Sequence, residues 1–180
     1  MVPESEDQPI TTRPNRIPWP PLLYGAALAA GLGLGWLVPL GWPPALADLP
    51  IRAGGGFVAL VGLGLDLWAI VTLHRAATNI LPHRGADKLV THGPFALSRN
   101  PIYVGNMLLV LGIGIALLNA WLMAAALLAA CATDRLAARR EDRHLAAKFG
   151  PAYAAYAARV PRWIGPRRIT PPPPAGPDRN

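Results

Sequence analysis

Two short runs hold most of the side chains that could do chemistry. The first is His92-Gly93-Pro94-Phe95-Ala96-Leu97-Ser98-Arg99-Asn100-Pro101-Ile102-Tyr103-Val104-Gly105, and the second is Arg140-Glu141-Asp142-Arg143-His144-Leu145. In the first, Gly93-Pro94 forces a turn, and Asn100-Pro101 reads as a helix start with proline at the first position. Amides at such a helix start carry a partial positive charge suited to an anionic group, and Arg99 adds a full one. The same residues also read as a membrane-entry cap with a snorkelling arginine. In the second run the Glu141–Asp142 pair could hold an ammonium or a ribose, or could be a solvated, salt-bridged face. Further on, Tyr153 and Tyr156 stand three apart on one helical face. With Arg162-Trp163 they read as side chains at lipid-headgroup depth.

Apolar sequence brackets both runs. Of 180 residues, 52% are hydrophobic and only 15% are charged, with a net charge of +7. An average globular chain carries about 25% charged residues. That balance excludes an ordinary soluble domain and a charged coiled coil. It also argues against a nucleic-acid partner, whose basic residues would pattern a polar surface instead of flanking apolar stretches. One cysteine, Cys131, leaves no intrachain disulfide, Cys-rich zinc site or CxxC redox pair. The first twenty residues are polar and Pro-rich, without the apolar centre of a signal peptide. The expectation is an all-α integral membrane protein with membrane lipids around it.

Four spans are expected. The first covers about Leu22–Leu40 and the second Ala53–Leu73, interrupted only by Asp66. Between Arg99 and Asp134 no residue is charged. One straight helix of that length would run ~51 Å at ~1.5 Å per residue, against a hydrocarbon core of ~30 Å. A tight hairpin is therefore placed at Asn119, giving a third span of about Ile102–Leu118 and a fourth starting near Ala120. The fourth continues past the membrane as a cytosolic helix toward Lys148. Gly31, Gly33, Gly35, Gly62 and Gly64 would let helices approach closely, and they lack the spacing of a phosphate-binding loop. Arg75, Arg84, Lys88 and Arg99 precede the hairpin, and Arg135, Arg139, Arg140, Arg143 and Lys148 follow it. The basic segments face the cytosol, which puts both termini inside. Residues 21–166 form the membrane domain, flanked by an unstructured 1–20 segment and a Pro-rich 167–180 tail.

Joined in order and spacing, the two runs resemble the isoprenylcysteine carboxyl methyltransferase family and its relatives, the phospholipid N-methyltransferases. The pattern is H-G-P-F-x3-R-N-P-x-Y-x-G, a hairpin, then E-D-x2-L-x3-F-G-x2-Y-x2-Y-x3-V-P-R, covering roughly Leu89 to Ile164, with a looser match in Thr78-Asn79-Ile80. The resemblance implies an inner-membrane enzyme with a cytosol-facing S-adenosylmethionine site. His92, Gly93, Pro94, Phe95, Asn100, Gly105, Asn106 and Glu141 would line the cofactor. Asn100 stands where the family often has histidine, and Asp142 where it often has a second glutamate. The family arginine four residues before the glutamate is Ala137 here. Arg135, Arg139 and Arg162 are therefore the candidates for holding a lipidic small-molecule acceptor, with Arg99 and Tyr103 at the reacting end.

Methyl transfer from a sulfonium is an in-line displacement, so the protein mainly aligns the partners and excludes water. A carboxylate acceptor needs no base, only a cation such as Arg99 to orient it. An amine acceptor needs a base, for which Glu141, Asp142 and His92 qualify. Val160-Pro161-Arg162 tilts the reading toward a carboxylate of the isoprenylcysteine type; the alternatives are a phospholipid amine acceptor, or a membrane sensor or reductase that shares the hairpin without being a methyltransferase. Asp66, ionisable inside a span, is either functional or a protonated or hydrogen-bonded acid between helices, partnered by Asn106 or by Trp68 of a neighbouring chain. His74, His83 and His92 are too loosely spaced for a metal site.

Overall fold

The computed structural model describes residues 19–43, 49–78 and 87–165. It is helical: α1 spans Trp19–Leu37, α2 Leu49–Arg75, α3 Pro101–Ala116, α4 Ala120–Thr133 and α5 Arg139–Arg159, with a short 3₁₀ turn at Gly93–Ala96. α1 and α2 are long and apolar enough to cross a membrane, as is the continuous α4–α5 helix; α3 is a shorter apolar helix. The expected spans therefore stand, with two shifts. α1 begins at Trp19, inside the stretch expected to be unstructured, and α2 begins at Leu49. The rest of that N-terminal stretch and the Pro-rich tail lie outside the described residues, as do Asn79, Ile80, His83 and Arg84.

α2 lies along α3, α3 pairs with α4 across the hairpin, and α1 lies along α4. Glycines set the spacing of these contacts. A side chain at Gly62 or Gly112 would run into backbone of the facing helix, at Leu109 and Gly105 for the first and at Ala59 and Gly55 for the second. Gly31 and Gly35 likewise meet Leu122 and Asn119, whereas Gly33 and Gly64 face open space. In lipid no hydrophobic force draws helices together, so this close packing carries the association. Outward faces remain apolar, with Trp36, Phe57, Leu60 and Leu128 exposed as a lipid-facing surface requires.

The hairpin turns at Leu117–Asn119. Leu118 adopts φ +52°, and the Asn119 amide donates back to the Gly114 carbonyl at 2.8 Å. Asn119 then caps α4 by accepting from the Leu122 amide, while its Nδ2 donates to the Gly31 carbonyl of α1 at 3.0 Å. At the far end of α4, residues Asp134–Ala138 form one π-helical turn. That wider turn buries Ala137 and Ala138 together against Tyr103, with Trp19, Ile102 and Trp163 packed around them.

α5 carries a break. Gly150 adopts φ +50° and ψ −125°, a conformation closed to side chains, and Pro151 restarts the helix. The break redirects the second half of α5. Tyr153, Tyr156 and Val160 then form a buried cluster with Leu89, Leu145 and Phe149 beside it.

Candidate functional site

The two chemistry-bearing runs meet at the end of the hairpin opposite Asn119. The first run is shaped by Gly93 at φ +62°, where a side chain would press on Thr72 of α2. Pro94, the next residue, is fully buried at the start of the 3₁₀ turn. Its backbone is then tied to the chain's last described segment. The Arg99 amide donates to the Pro161 carbonyl at 2.9 Å, and the Ser98 hydroxyl donates to the Arg162 carbonyl at 2.9 Å. Asn100 precedes α3 as expected, yet its side chain makes no capping bond; Nδ2 donates instead to the Arg162 carbonyl at 3.3 Å.

Asp142 is the hub of the side-chain network. One oxygen accepts from Arg99 Nη1 at 3.1 Å and from the Tyr153 hydroxyl, and the other accepts from Arg162 Nε at 2.7 Å. Arg99 Nη1 also donates to the Tyr153 hydroxyl at 3.0 Å. Arg162 reaches on to Asp134 at 3.3 Å, where the Trp163 indole N–H donates at 3.1 Å and Arg139 at 2.7 Å. Tyr156 donates its hydroxyl to the Phe95 carbonyl at 2.7 Å. Such charge-assisted, partly enclosed bonds are the stronger kind.

Beside this network, Tyr103 donates its hydroxyl to Glu141 Oε2 at 2.9 Å. Glu141 lies on α5, beyond the apolar stretch. Burial pushes its carboxyl up to about 7; the Tyr103 hydroxyl pulls the other way, and neighbouring Asp142 adds to the rise. Burial also raises the Tyr153 phenol, as does its hydrogen bond to Asp142.

The structure thus brings Arg99, Asn100, Tyr103, Glu141 and Arg162 together, with Pro94 and Phe95 in the adjoining turn. His92 is exposed at the rim. Arg139 joins through Asp134, whereas Arg135 is exposed and outside the network. Gly105 backs onto Asp66 and the Gly62 carbonyl, so it seats α3 on α2. Asn106 spends its Nδ2 on the Ile102 carbonyl of its own helix, not on Asp66. Among the described residues no group of three or more His, Cys, Asp or Glu could hold a metal ion.

Two expectations need correcting. Tyr153 and Tyr156 do not face lipid headgroups: both are buried within the protein, where the Gly150 break turns them under the Gly93–Ala96 turn. Arg162 and Trp163 do not anchor at the interface, since Asp142 and Asp134 hold them inward. Of the residues that organise the site, the sequence reads Tyr153 as an interfacial aromatic, leaves Asp142 open between a ligand-binding and a solvated charge, and gives no sign of Asp134. For Tyr153, only its spacing relative to the Gly150-Pro151 pair signals otherwise.

Among the buried polar atoms without a hydrogen-bond partner in the described residues are Arg99 Nε and, at the α2–α3 seam, Asp66 Oδ1. With Nη1 of Arg99 fixed by Asp142 and Tyr153, its buried Nε–H is left without an acceptor among the described residues.

Fold and site together define an integral membrane protein with a polar, ion-paired cluster at the mouth of a helical hairpin. The chain belongs to the phospholipid methyltransferase family, whose model matches residues 51–152. It is similar to the cobalt-zinc-cadmium resistance protein CzcN of Cupriavidus metallidurans, 41% identical over 81 residues, which make up 45% of this chain and 37% of that protein. The nickel-cobalt-cadmium resistance protein NccN of Alcaligenes xylosoxydans xylosoxydans is 36% identical over 81 residues, 45% of this chain and 38% of that protein. The chain therefore spans less than two-fifths of those relatives. Among solved structures it is similar to the eukaryotic intramembrane Ras methyltransferase, isoprenylcysteine carboxyl methyltransferase. The TM-score is 0.60 at 27% identity, over 81% of this chain and 52% of that one.

Proposed function

We propose that the chain transfers a methyl group from S-adenosylmethionine to a lipidic acceptor at the cytosolic face of the inner membrane. The observation that carries this reading is the union of the His92–Gly105 and Glu141–Trp163 segments into one cluster at the open end of the hairpin. The residues present suit the cofactor. Glu141 offers a carboxyl engaged by one hydroxyl, and Gly93 keeps the turn free of a side chain beside Thr72. S-adenosylmethionine, when bound, supplies an electrophilic methyl on sulfur. His92, Gly93, Pro94, Phe95, Asn100 and Glu141 would hold it from the cytosolic side.

Arg99 orients the acceptor. Its Nη1 is fixed by Asp142 and Tyr153, leaving the buried Nε–H for an anionic head. That supports a carboxylate acceptor, already ionised at neutral pH, and carboxyl methylation of an isoprenylcysteine-type substrate is the first reading. Tyr103 stands one turn further on, its hydroxyl on Glu141. An amine acceptor is the second reading, favoured by the family match and by the pairing of Arg162 and Arg139 with Asp142 and Asp134. With those cations neutralised, fewer remain to bind a carboxylate. A lipidic acceptor is expected to enter sideways from the inner leaflet, because each apolar CH₂ exposed to water costs about 0.8 kcal/mol.

The test is methyl transfer from labelled S-adenosylmethionine into a prenylcysteine analogue and into a total lipid extract, side by side. Label in the first, base-labile as a methyl ester, supports the carboxylate. Base-stable label in a phospholipid headgroup supports the amine, and label in neither removes the proposal.

A further inference from the structure

Asp66 is the one strong acid inside α2, and the network above does not use it. It is only 8% exposed, and its Oδ1 has no hydrogen-bond partner among the described residues. An unsatisfied carboxylate at membrane depth is costly and calls for a reason. It stands nine residues before Arg75, the end of α2, hence ~14 Å down that helix at ~1.5 Å per residue.

Its surroundings are built around it. Oδ1 lies where the Cβ of any residue other than glycine at position 105 would sit, so the bare backbone of α3 makes room for the acid. Trp68 and Thr72 stand about half a turn and under two turns further along α2, roughly 120–160° round the helix from Asp66, and Gly93 rests on both. Its Cβ position is 3.3 Å from Thr72 Oγ1 and 3.6 Å from Trp68 Nε1. Gly93 and Gly105, which flank the first chemistry-bearing run, thus both seat on α2, Gly105 against the acid and Gly93 further round the helix. The acid faces α3, with Ala69 buried on the same side of α2. Asn106, the nearest candidate partner in sequence, bonds to its own helix instead.

We propose that Asp66 is the seat of an ammonium group, at the α2–α3 seam behind the first chemistry-bearing run, and that this ammonium belongs to a ligand of the methyl-transfer site. A protonated amine would satisfy the orphaned oxygen and cancel the buried charge in one contact. Two ligands carry such a group: the amino-acid end of the cofactor, and an aminophospholipid acceptor. The proposal rests on the methyltransferase reading.

The experiment compares the wild-type protein with Asp66→Asn, which keeps the size and removes the charge. S-adenosylhomocysteine and 5′-methylthioadenosine, which lacks the amino-acid end, are titrated by calorimetry. Methyl transfer is followed into phosphatidylethanolamine vesicles. If the ammonium is the cofactor's, Asp66→Asn weakens S-adenosylhomocysteine at least tenfold and leaves methylthioadenosine unchanged. If it is the acceptor's, both nucleosides bind as before and KM for the vesicles rises at least tenfold. Unchanged values throughout, or equal weakening of both nucleosides, would overturn the proposal. Should Asp66→Asn fail to fold, the wild-type protein is labelled with dicyclohexylcarbodiimide and mapped by mass spectrometry. Protection of Asp66 by S-adenosylhomocysteine or by phosphatidylethanolamine is expected, and labelling undiminished by either refutes the assignment. A wild-type protein that binds neither nucleoside and methylates no vesicle defeats the methyltransferase reading itself, which is a different result from an insensitive variant.

Discussion

Replacing Asp142 by asparagine removes the charge that joins the first run to the chain's last described segment. Asp142, Arg99 and Arg162 have side-chain exposures of 14%, 15% and 30%, so the pairs are sheltered without being dry. Removing one partner of a fully buried pair costs ~3–5 kcal/mol, and an exposed pair is worth at most about 1 kcal/mol. Asparagine can still accept one bond from Arg162, but its amide nitrogen then faces a cation or the Tyr153 hydroxyl. The expected loss for Asp142→Asn is therefore about 2–4 kcal/mol, between those limits. It should appear as a lower melting temperature in detergent and as faster tryptic cleavage at Arg159 and Arg162, whose segment would no longer be held. The loss should be non-additive with Arg99→Met, with a coupling of about 1 kcal/mol or more, because the two substitutions remove one interaction. Unaltered melting and cleavage, or strict additivity, would refute the hub.

Glu141 gives a pH signature. A carboxyl raised to about 7 keeps its proton in the folded state after the unfolded chain has lost it. Its contribution to stability is therefore full below the ordinary carboxylate value and is lost as pH rises toward 7. Its ionised fraction grows about tenfold between pH 6 and pH 8, so S-adenosylhomocysteine should bind about tenfold tighter at the higher pH. Calorimetry of Glu141→Gln should show weaker binding, by about tenfold at pH 8, and no such slope. Gly150→Ala should cost about 1–3 kcal/mol in thermal unfolding, because φ +50° with ψ −125° is closed to a side chain. With Cys131 replaced, a cysteine at exposed Leu117 should react with an impermeant thiol reagent only from outside the cell; labelling only from the cytosol would invert the topology.

Much of the frame was legible in the sequence because membrane helices obey local rules. Length against bilayer thickness required a turn between Arg99 and Asp134, and Asn119 was the polar residue able to cap one. Asn100-Pro101 marked the start of α3 for a local reason as well, the missing amide of proline. The site was legible as two runs but not as a network. Spacing placed Tyr153 and Tyr156 on one face without saying what that face meets, and only the reversal at Gly150-Pro151 turns it inward. Asp142 could read as a member of a charge run, and Asp134 gave no sign, because their partners, Trp163, Arg162 and Arg99, lie 20 or more residues away. The buried setting of Asp66 depends on which helix faces α2, and Gly105 marks that helix only once the pairing is known.

The central claim is that the joined segments form a site for S-adenosylmethionine. Its most direct test is calorimetric titration of S-adenosylhomocysteine into the detergent-purified protein, beside the Glu141→Gln variant. The account predicts saturable one-to-one binding that weakens about tenfold in the variant, the loss expected for one charged hydrogen bond. Absence of binding to the wild-type protein, or equal binding by both proteins, would contradict it.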